Sequence, residues 1–384
     1  MSLTTIIIFF ILLGILVLAH EFGHFFVAVR NGIKAEEFGF GFPPRFLGIV
    51  KDGKTGKRHI VLGDDDISSD HTIYSLNWIP FGGFVRMKGE DENALVEPDS
   101  FASKSALIKV AVLAAGVSMN VLLAWMLMSW LFFSGVPQPI PEGDRSDVKD
   151  ISVQIYSVDK GSPAESMGIR PGDKMIAIEG VAVSGTEEAQ ALVSANLGKE
   201  IAIIIERAGR SSTLRGTPRL DAPQGEGALG ISFAETGTVR YPWYAALVRG
   251  AQATWGIAVS VISALVGMVA GLFSGHQAVD VTGPVGIIYA TKQMSELGLT
   301  YLIQFAAILS INLAIFNILP LPALDGGRIL FVIIGKLKGT PVREIIEQRT
   351  HQIGFILLLL LMIVVTARDF SNFHILDKIV ILFR

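Results

Sequence analysis

Long apolar runs alternate along this chain with polar stretches. The apolar runs cover residues 3–29, 106–135, 241–274, 299–320 and, with its flanks, 354–366. A helix of about 20 apolar residues can cross the hydrocarbon core of a bilayer, so each run is a candidate membrane helix. Residues 150–236 instead carry short alternating runs, frequent turn residues and many charges. That pattern predicts a separate folded domain with β-strands.

The composition agrees with a membrane protein. The 384 residues are 51% hydrophobic and 17% charged, and a mean hydropathy of +0.51 is too high for an ordinary soluble globule. The net charge of −3 gives no reason to expect nucleic-acid binding, and the lack of cysteine excludes disulfides and thiolate metal sites. The first run lacks the basic start and cleavage site of a signal peptide, so we expect a retained helix.

Three ionisable side chains interrupt the first apolar run. His20, Glu21 and His24, in the stretch HEFGH, fit the pattern H-E-x-x-H. Residues four apart project from one face of a helix, so both imidazoles can reach one metal ion. Imidazole nitrogens suit zinc, and the intervening carboxylate can take a proton from a metal-activated water. The pattern therefore predicts a zinc site within a membrane helix.

A catalytic zinc site normally takes three protein ligands, so a third is expected in another membrane segment. Asp325 lies in FNILPLPALDGGRIL, residues 316–330, shortly after Pro320 and Pro322. Prolines interrupt a regular helix, and broken backbone at membrane depth is tolerated only where protein covers it or it lines a wet cavity. Asp325 is therefore the candidate third ligand. The alternative is a helix-ending residue at the interface, with Gly327 as the C-cap.

The two motifs together resemble the site-2 proteases, which are intramembrane zinc metalloproteases, and above all their bacterial sigma-E-regulating type. The resemblance extends over essentially the whole chain. Further stretches that look like family landmarks are YSLNWIPFGGFVRMKGED (74–91), AAGVSMN (114–120), GSPAESMGIRPGDKMIAIEG (161–180) and TGPVGI (282–287). The chain carries Val117 where the family usually has proline. It has room for one PDZ domain, whereas the better-known enterobacterial relatives carry two in tandem.

The resemblance implies a role for each candidate residue. The implied Zn²⁺ ligands are His20, His24 and Asp325, with Glu21 activating water. Asn317 and Asn312 would hydrogen-bond the substrate backbone near the scissile bond, although helix–helix hydrogen bonding is the alternative for both amides. The implied substrates are single-span membrane proteins, such as anti-sigma factors and remnant signal peptides. They would be cut within their transmembrane segments, in regulated intramembrane proteolysis.

The depth of the two motifs predicts the number of membrane crossings. Leu3 to His20 spans about 26 Å of helix, close to the far side of a core about 30 Å thick. Asp325 also comes late in its own segment. Both segments must then cross in the same direction, so residues 106–135 supply the return and 241–274 form an interfacial or re-entrant helix. Basic residues in 328–349 favour an N-terminus outside the cell and a zinc site toward the cytoplasm.

The expected fold is therefore a polytopic α-helical membrane protein with four transmembrane helices, a membrane-dipping β-hairpin or sheet, and one extracytoplasmic PDZ domain (α+β). Its location would be the bacterial inner membrane. The predicted regions are the first two transmembrane helices with the β-region (1–135), the PDZ domain (150–236), the interfacial or re-entrant helices (241–298) and the last two transmembrane helices (299–384). Residues 227–233, GALGISF, look like the peptide-binding strand of a circularly permuted PDZ domain. Peptide capture and exclusion of bulky substrates are equally compatible with it.

Two glycine-rich patches predict the membrane-dipping sheet. FGFGF (38–42) contains Gly39 and Gly41, and PFGGFV (80–85) contains Gly82 and Gly83. A helix hides its backbone carbonyls, so a protease must unwind a transmembrane substrate before cutting it. Glycines in strands permit close backbone approach, so we expect an edge of this sheet to pair with the unwound substrate. Amphipathic anchoring in lipid is the alternative.

Three rival functions remain open. A catalytically inactive membrane adaptor could use the PDZ domain alone, but an intact Glu21 with three candidate ligands argues against it. A metal transporter would give no role to the PDZ-like domain or to the glycine-rich strands. A membrane-anchored zinc protease of soluble or misfolded proteins would normally carry HExxH beyond its membrane segment rather than within it.

Overall fold

The computed structural model describes residues 2–52, 56–63, 71–90, 97–139, 149–207, 209–223, 225–274, 283–340 and 342–372. The chain divides into two compact units. One unit comprises Met1–Leu127, Gln252–Thr291 and Phe305–Arg384, and the other comprises Met128–Ala251 and Lys292–Gln304. The two motifs predicted to bind metal both fall in the first unit, and the predicted strand-rich domain falls in the second.

Helices account for every apolar run. The long ones are α1 (Leu3–Arg30), α2 (Ala106–Ser134), α5 (Trp243–Ser274), α6 (Pro284–Leu297), α7 (Leu299–Ile318), α8 (Asp325–Lys338) and α9 (Glu344–Asn372). Two short helices, α3 (Pro163–Met167) and α4 (Thr186–Ser194), belong to the strand-rich unit. On α1 the side chains of Ile7, Ile11 and Ile15 are each about half exposed. An exposed apolar stripe of this kind is expected of a helix that faces lipid.

The prediction of four crossings is not confirmed. Within the part of the chain that the structure describes, five helices are long and apolar enough to cross a bilayer: Leu3–Arg30, Ala106–Ser134, Trp243–Gly271, Leu299–Ile318 and Ile345–Ser371. The additional candidate is the segment that the sequence places at the interface. Length and composition do not distinguish a crossing helix from one that lies along the surface, so the interfacial placement of residues 241–298 stays a prediction.

The glycine-rich patches form one antiparallel sheet of three strands: β1 (Ala35–Lys51), β2 (Arg58–Leu62) and β3 (Ile73–Met87), in the order β2-β1-β3. Strand β3 folds around the first half of β1, because Phe38 pairs with both Val85 and Tyr74. The last part of β3, residues 83–87, pairs only with β1 among the described strands, so its other edge carries no strand. This outer edge of β3 lies against α1.

A buried ion pair fixes the bend in β1. Glu37 and Arg45 are 2% and 4% exposed, and Arg45 donates to both carboxylate oxygens of Glu37, at 2.9 and 2.7 Å. Burial alone would raise the pKa of Glu37, but the hydrogen bonds from Arg45 and Ser75 outweigh it and hold that pKa below its ordinary value. Charges buried at this cost stabilise only when paired, so the pair specifies how the two halves of β1 meet.

The second unit contains the predicted strand-rich domain. Its strands are β4 (Val136–Pro139), β5 (Lys149–Val158), β6 (Lys174–Ile178), β7 (Val181–Ala182), β8 (Ile201–Arg207), β9 (Arg210–Gly216) and β10 (Ile231–Val239). They form one sheet in the order β4-β10-β5-β6-β8-β9, with β7 paired to β6. Alternate residues of β8 (Ile201, Ile203 and Ile205) are at most 1% exposed. The apolar residues that recur every two positions in the sequence therefore form the core-facing side of this sheet.

Candidate metal centre

Three side chains far apart in the sequence converge on one point. His20 Nε2 and His24 Nε2 lie 3.1 Å apart. Asp325 Oδ2 lies 3.0 Å from His20 Nε2 and 3.4 Å from His24 Nε2. The two histidines are 6% and 5% exposed. Among the described residues, these three form a group whose ligand atoms all lie within 4.8 Å of one another, which is close enough to share one metal ion.

Helix geometry and a broken turn bring the three together. Helix α1 continues through HEFGH without interruption, so His20 and His24 share one face. Asp325 is the first residue of α8, after a turn in which Ala323 has a positive φ of 71°. His351 Nδ1 accepts a hydrogen bond from the Ala323 N–H at 2.7 Å, which stabilises this turn. The predicted break at the prolines is therefore confirmed.

The alternative role for Asp325, that of a helix-ending residue, is wrong. A helix-ending residue with Gly327 as C-cap would require a helix to finish there, whereas α8 begins at Asp325 and contains Gly327 in its first turn. The two glycines serve close packing instead. A β-carbon on Gly326 would lie 2.2 Å from the Ile318 carbonyl oxygen, and one on Gly327 would lie 2.2 Å from that of Leu321. The first turn of α8 thus packs directly on backbone.

The chemistry of this donor set fits a divalent metal. Asp325 Oδ2 is buried and has no hydrogen bond of acceptable geometry with the described residues, although an imidazole nitrogen lies 3.0 Å away. A buried acceptor facing two nitrogen lone pairs would be costly to leave uncompensated. One cation between the three atoms removes that cost, and two imidazoles with one carboxylate are a ligand set used for catalytic zinc. The residues present therefore fit Zn²⁺.

The Nδ1 atom of each imidazole, on the side of the ring away from the shared point, also has a hydrogen-bonding partner. His24 Nδ1 lies 2.8 Å from the carbonyl oxygen of Val112 on α2. Since a carbonyl only accepts, the Nδ1 must carry the proton, which leaves the Nε2 lone pair facing the shared point. His20 Nδ1 lies 3.2 Å from the side-chain amide of Asn120, also on α2. Both rings are therefore oriented by the second helix.

Asn120 lies at the site but was not among the predicted site residues, although it ends AAGVSMN (114–120), a stretch that looks like a family landmark. Its side chain is completely buried. Its backbone carbonyl accepts a 2.8 Å hydrogen bond from the Ser310 hydroxyl on α7, whereas its side-chain Oδ1 has no partner among the described residues. The nitrogen and oxygen of a side-chain amide exchange places when the amide is flipped, so the oxygen can be the atom that faces His20 Nδ1. It would then accept the Nδ1 proton and free Nε2 for metal. The available signal was a polar amide inside the apolar run 106–135.

We expect Asn120→Ala to weaken zinc binding by about 10- to 100-fold, as is typical when the partner of a metal-bound histidine is removed. Asn120→Asp should retain most of the affinity, because a carboxylate still accepts the Nδ1 proton. Competition with a chromophoric chelator on the purified protein measures both. Equal affinities for wild type and Asn120→Ala would show that this amide does not orient His20.

Glu21 lies beside the outer edge of β3. Its Oε2 accepts a 3.2 Å hydrogen bond from the backbone N–H of Val85, and a β-carbon on Gly83 would lie 3.8 Å from Glu21 Cγ. Gly82 packs on α1 in the same way, because a β-carbon there would lie 3.3 Å from a methyl of Val17. Gly82 therefore lets this part of β3 approach the helix that carries the histidines, whereas a β-carbon on Gly83 would first meet the Gly39 carbonyl oxygen of β1, at 3.0 Å.

The other two glycines lie inside the sheet. A β-carbon on Gly39 would lie 2.5 Å from the ring of Phe84, and one on Gly41 would lie 2.4 Å from the Ile79 carbonyl oxygen. The space beside Gly39 and Gly41 is thus filled by β3 of the same chain. Close backbone approach is what the sequence predicts for these positions, but here the approaching backbone belongs to the protein's own sheet.

The structure separates the two candidate asparagines. Asn317, near the end of α7, places its Nδ2 at 3.4 Å from His20 Nε2, so it lies at the cluster. Asn312 is half-buried in the same helix, and its side chain makes no hydrogen bond with the described residues. Of the two, only Asn317 is brought to the candidate metal centre.

Comparison with known proteins relates the whole chain to zinc proteases. The sequence profile of peptidase family M50 matches residues 8–63 and 59–361. A candidate zinc metalloprotease of Clostridium acetobutylicum is 31% identical over 96% of this chain and 98% of the relative. The regulator of sigma-E protease RseP of Escherichia coli is 28% identical over 95% of this chain and 98% of its own length. The regulator of sigma-W protease RasP of Bacillus subtilis is 27% identical over 97% and 99%.

Proposed function

The chain belongs to peptidase family M50 and is therefore a zinc metalloprotease of the site-2 type, and from this premise we propose that it cleaves single-span membrane proteins within their transmembrane segments. One observation carries the proposal. His20 and His24 lie on α1 inside a candidate membrane span, past its midpoint, and Asp325 at the start of α8 meets them there. A protease of soluble proteins gains nothing from a site at that depth, which disfavours the membrane-anchored alternative.

The proposed ligands of Zn²⁺ are His20, His24 and Asp325. When bound, the metal supplies Lewis acidity and makes water a usable nucleophile near neutral pH. The chain's own groups do the rest. Glu21 takes a proton from the water and returns it to the leaving amine, and the Asn317 amide donates to a substrate carbonyl close to the scissile bond. Asn312, one and a half turns earlier on the same helix, is proposed as a second donor to the substrate backbone near that bond.

The proposed substrate site is the outer edge of β3, residues 83–87. An unwound segment can add to such an edge as a further strand, with main-chain hydrogen bonds supplying affinity. The Val85 N–H now occupied by Glu21 would donate to a substrate carbonyl and release the carboxylate for chemistry. Gly82 keeps this edge close to α1, while Gly83, Gly39 and Gly41 let β3 and its supporting strand β1 pack closely.

Residues 150–236 are proposed to be an extracytoplasmic PDZ domain that handles the substrate's tail. In support, β10 is paired on one side with β5 along its length, whereas β4 covers only Thr236–Val239 on the other side. Residues 231–235 are thus an open edge among the described strands, and α4 lies beside it, since the Thr186 N–H donates to Glu235 at 3.4 Å. An open edge favours peptide capture over simple exclusion. The named function of the sigma-regulating relatives makes anti-sigma factors the first substrates to test.

The test is cleavage of tagged single-span proteins by the zinc-loaded, full-length enzyme in bilayers, with the cut position read by mass spectrometry. We expect cuts inside the transmembrane segment and their loss in Asp325→Asn. A matched control is Asp99→Asn, which changes a surface carboxylate paired with Lys88. Cuts confined to soluble regions, or equal degradation of a soluble unfolded protein, would favour the membrane-anchored alternative. Unchanged cleavage by Asp325→Asn would contradict the ligand set.

A further inference from the structure

A second candidate site lies away from the metal centre, at the junction of α2, α8 and α9. It is a cleft of about 380 Å³ that opens to the outside. Its walls come from the beginning of α2, the second half of α8 and the beginning of α9. The side chains that give the cleft its charge and its apolar wall are those of Lys109, Lys336, Thr340, Glu347, Phe331 and Val332. None of these residues takes part in the proposed zinc chemistry.

The charge in this cleft suits an anion. Lys109 on α2 and Lys336 on α8 both line it, and neither forms an ion pair with a described carboxylate. The Lys109 ammonium instead lies 5.7 Å from the centre of the Phe101 ring, a contact that does not neutralise its charge. Thr340 adds a hydroxyl donor, and Glu347 is the one acidic lining residue. Two ammonium groups against one carboxylate leave the cleft positive.

The cleft also adjoins the starts of two candidate membrane spans. The candidate spans of α2 and α9 begin at Ala106 and Ile345. Lys109 and Glu347 each lie within one turn of those starts, so the cleft lies where these two helices would enter a bilayer. Phosphates of the lipid headgroups occupy this level, and basic pockets between transmembrane helices are a known form of headgroup site. The apolar walls formed by Phe331 and Val332 would meet the glycerol and the first acyl carbons.

We propose that this cleft binds the headgroup phosphate of an anionic phospholipid, with Lys109 and Lys336 as its two cationic contacts. A soluble phosphate would satisfy the lysines but would leave the apolar wall exposed to water. A zwitterionic lipid brings its own ammonium close to the phosphate, which competes with the lysines. The cleft therefore favours an anionic lipid over both. This assignment is independent of the proposed protease mechanism, because it uses none of its residues.

The test is native mass spectrometry of the full-length protein titrated with phosphatidylglycerol, phosphatidylcholine or inorganic phosphate. We expect preferential binding of phosphatidylglycerol, weakened about fivefold by Lys109→Gln and about fivefold by Lys336→Gln, since one lysine near anionic lipid contributes about 1 kcal/mol. Lys338→Gln is the matched control, because this exposed lysine lies on the same helix but outside the cleft. Glu347→Gln should act in the opposite direction and strengthen binding, which a merely misfolded variant would not do.

Three results would overturn the assignment. One is equal binding of phosphatidylglycerol and phosphatidylcholine. The second is a pair of lysine variants indistinguishable from Lys338→Gln. The third is lysine-dependent binding of inorganic phosphate that phosphatidylglycerol fails to displace, which would make the cleft a site for a soluble anion.

Discussion

Replacing Glu21 by Gln should lower the rate of peptide cleavage by about 10²- to 10⁴-fold, the usual contribution of a general base, and leave zinc binding close to that of wild type. The substitution removes the group that accepts the proton but keeps the side chain's shape. Its amide oxygen can still accept the 3.2 Å hydrogen bond that the Val85 N–H now donates to Glu21. The loss should therefore appear in the rate constant for cleavage rather than in metal content or folding.

The measurement is single-turnover cleavage of a tagged single-span substrate by the reconstituted enzyme, together with zinc content from elemental analysis. Asp99→Asn is again a suitable control, because Asp99 is a half-exposed carboxylate paired with Lys88, outside both the metal centre and the proposed substrate edge. Full activity in Glu21→Gln would eliminate this residue as the base. Loss of zinc together with activity would mean that Glu21 holds metal rather than a proton.

The cluster of His20, His24 and Asp325 could be predicted from two local rules together with the resemblance to the site-2 proteases. The period of an α-helix places His20 and His24 on one face, and two prolines mark a break in the chain just before Asp325. Neither rule needs knowledge of how the helices pack. The strands of the second unit follow in the same way from their two-residue period, as the burial of Ile201, Ile203 and Ile205 shows.

The partners of the cluster could not be predicted, because they depend on which helix faces α1. Asn120 is 100 positions from His20, and the Val112 carbonyl that meets His24 carries no side-chain signal at all. Only the packing of α2 on α1 brings them to the imidazoles. The number of crossings is a related case. The depth of the motifs constrained only the two segments that carry ligands. Helix α5 carries no ligand, so the sequence could not decide between its hydropathy, which favours a crossing, and its predicted interfacial placement.

The same packing makes Gly116 sensitive to a single added methyl group. A β-carbon on Gly116 would lie 2.4 Å from His24 Nε2 and 2.8 Å from His20 Cε1, far inside van der Waals contact. The rings cannot turn away without giving up the Val112 and Asn120 contacts on their far nitrogens. Helices α1 and α2 also pack closely through their backbones at Gly23, where a β-carbon would lie 2.3 Å from the Ala115 carbonyl oxygen. The two helices therefore cannot separate freely.

We therefore expect Gly116→Ala to displace both imidazoles, to weaken zinc binding by at least about tenfold and to lower the cleavage rate by about 10²-fold, the cost of misplacing reacting groups by about 1 Å. Gly267→Ala is the matched control, because Gly267 lies inside α5 with open space around its Cα. Alanine is the better helix former by about 0.5–1 kcal/mol at an exposed helix interior, so the control should be active and no less stable. Chelator competition and single-turnover cleavage on both variants decide the matter. A Gly116→Ala enzyme with wild-type zinc affinity would mean that α1 and α2 do not meet the histidines as closely as the geometry requires.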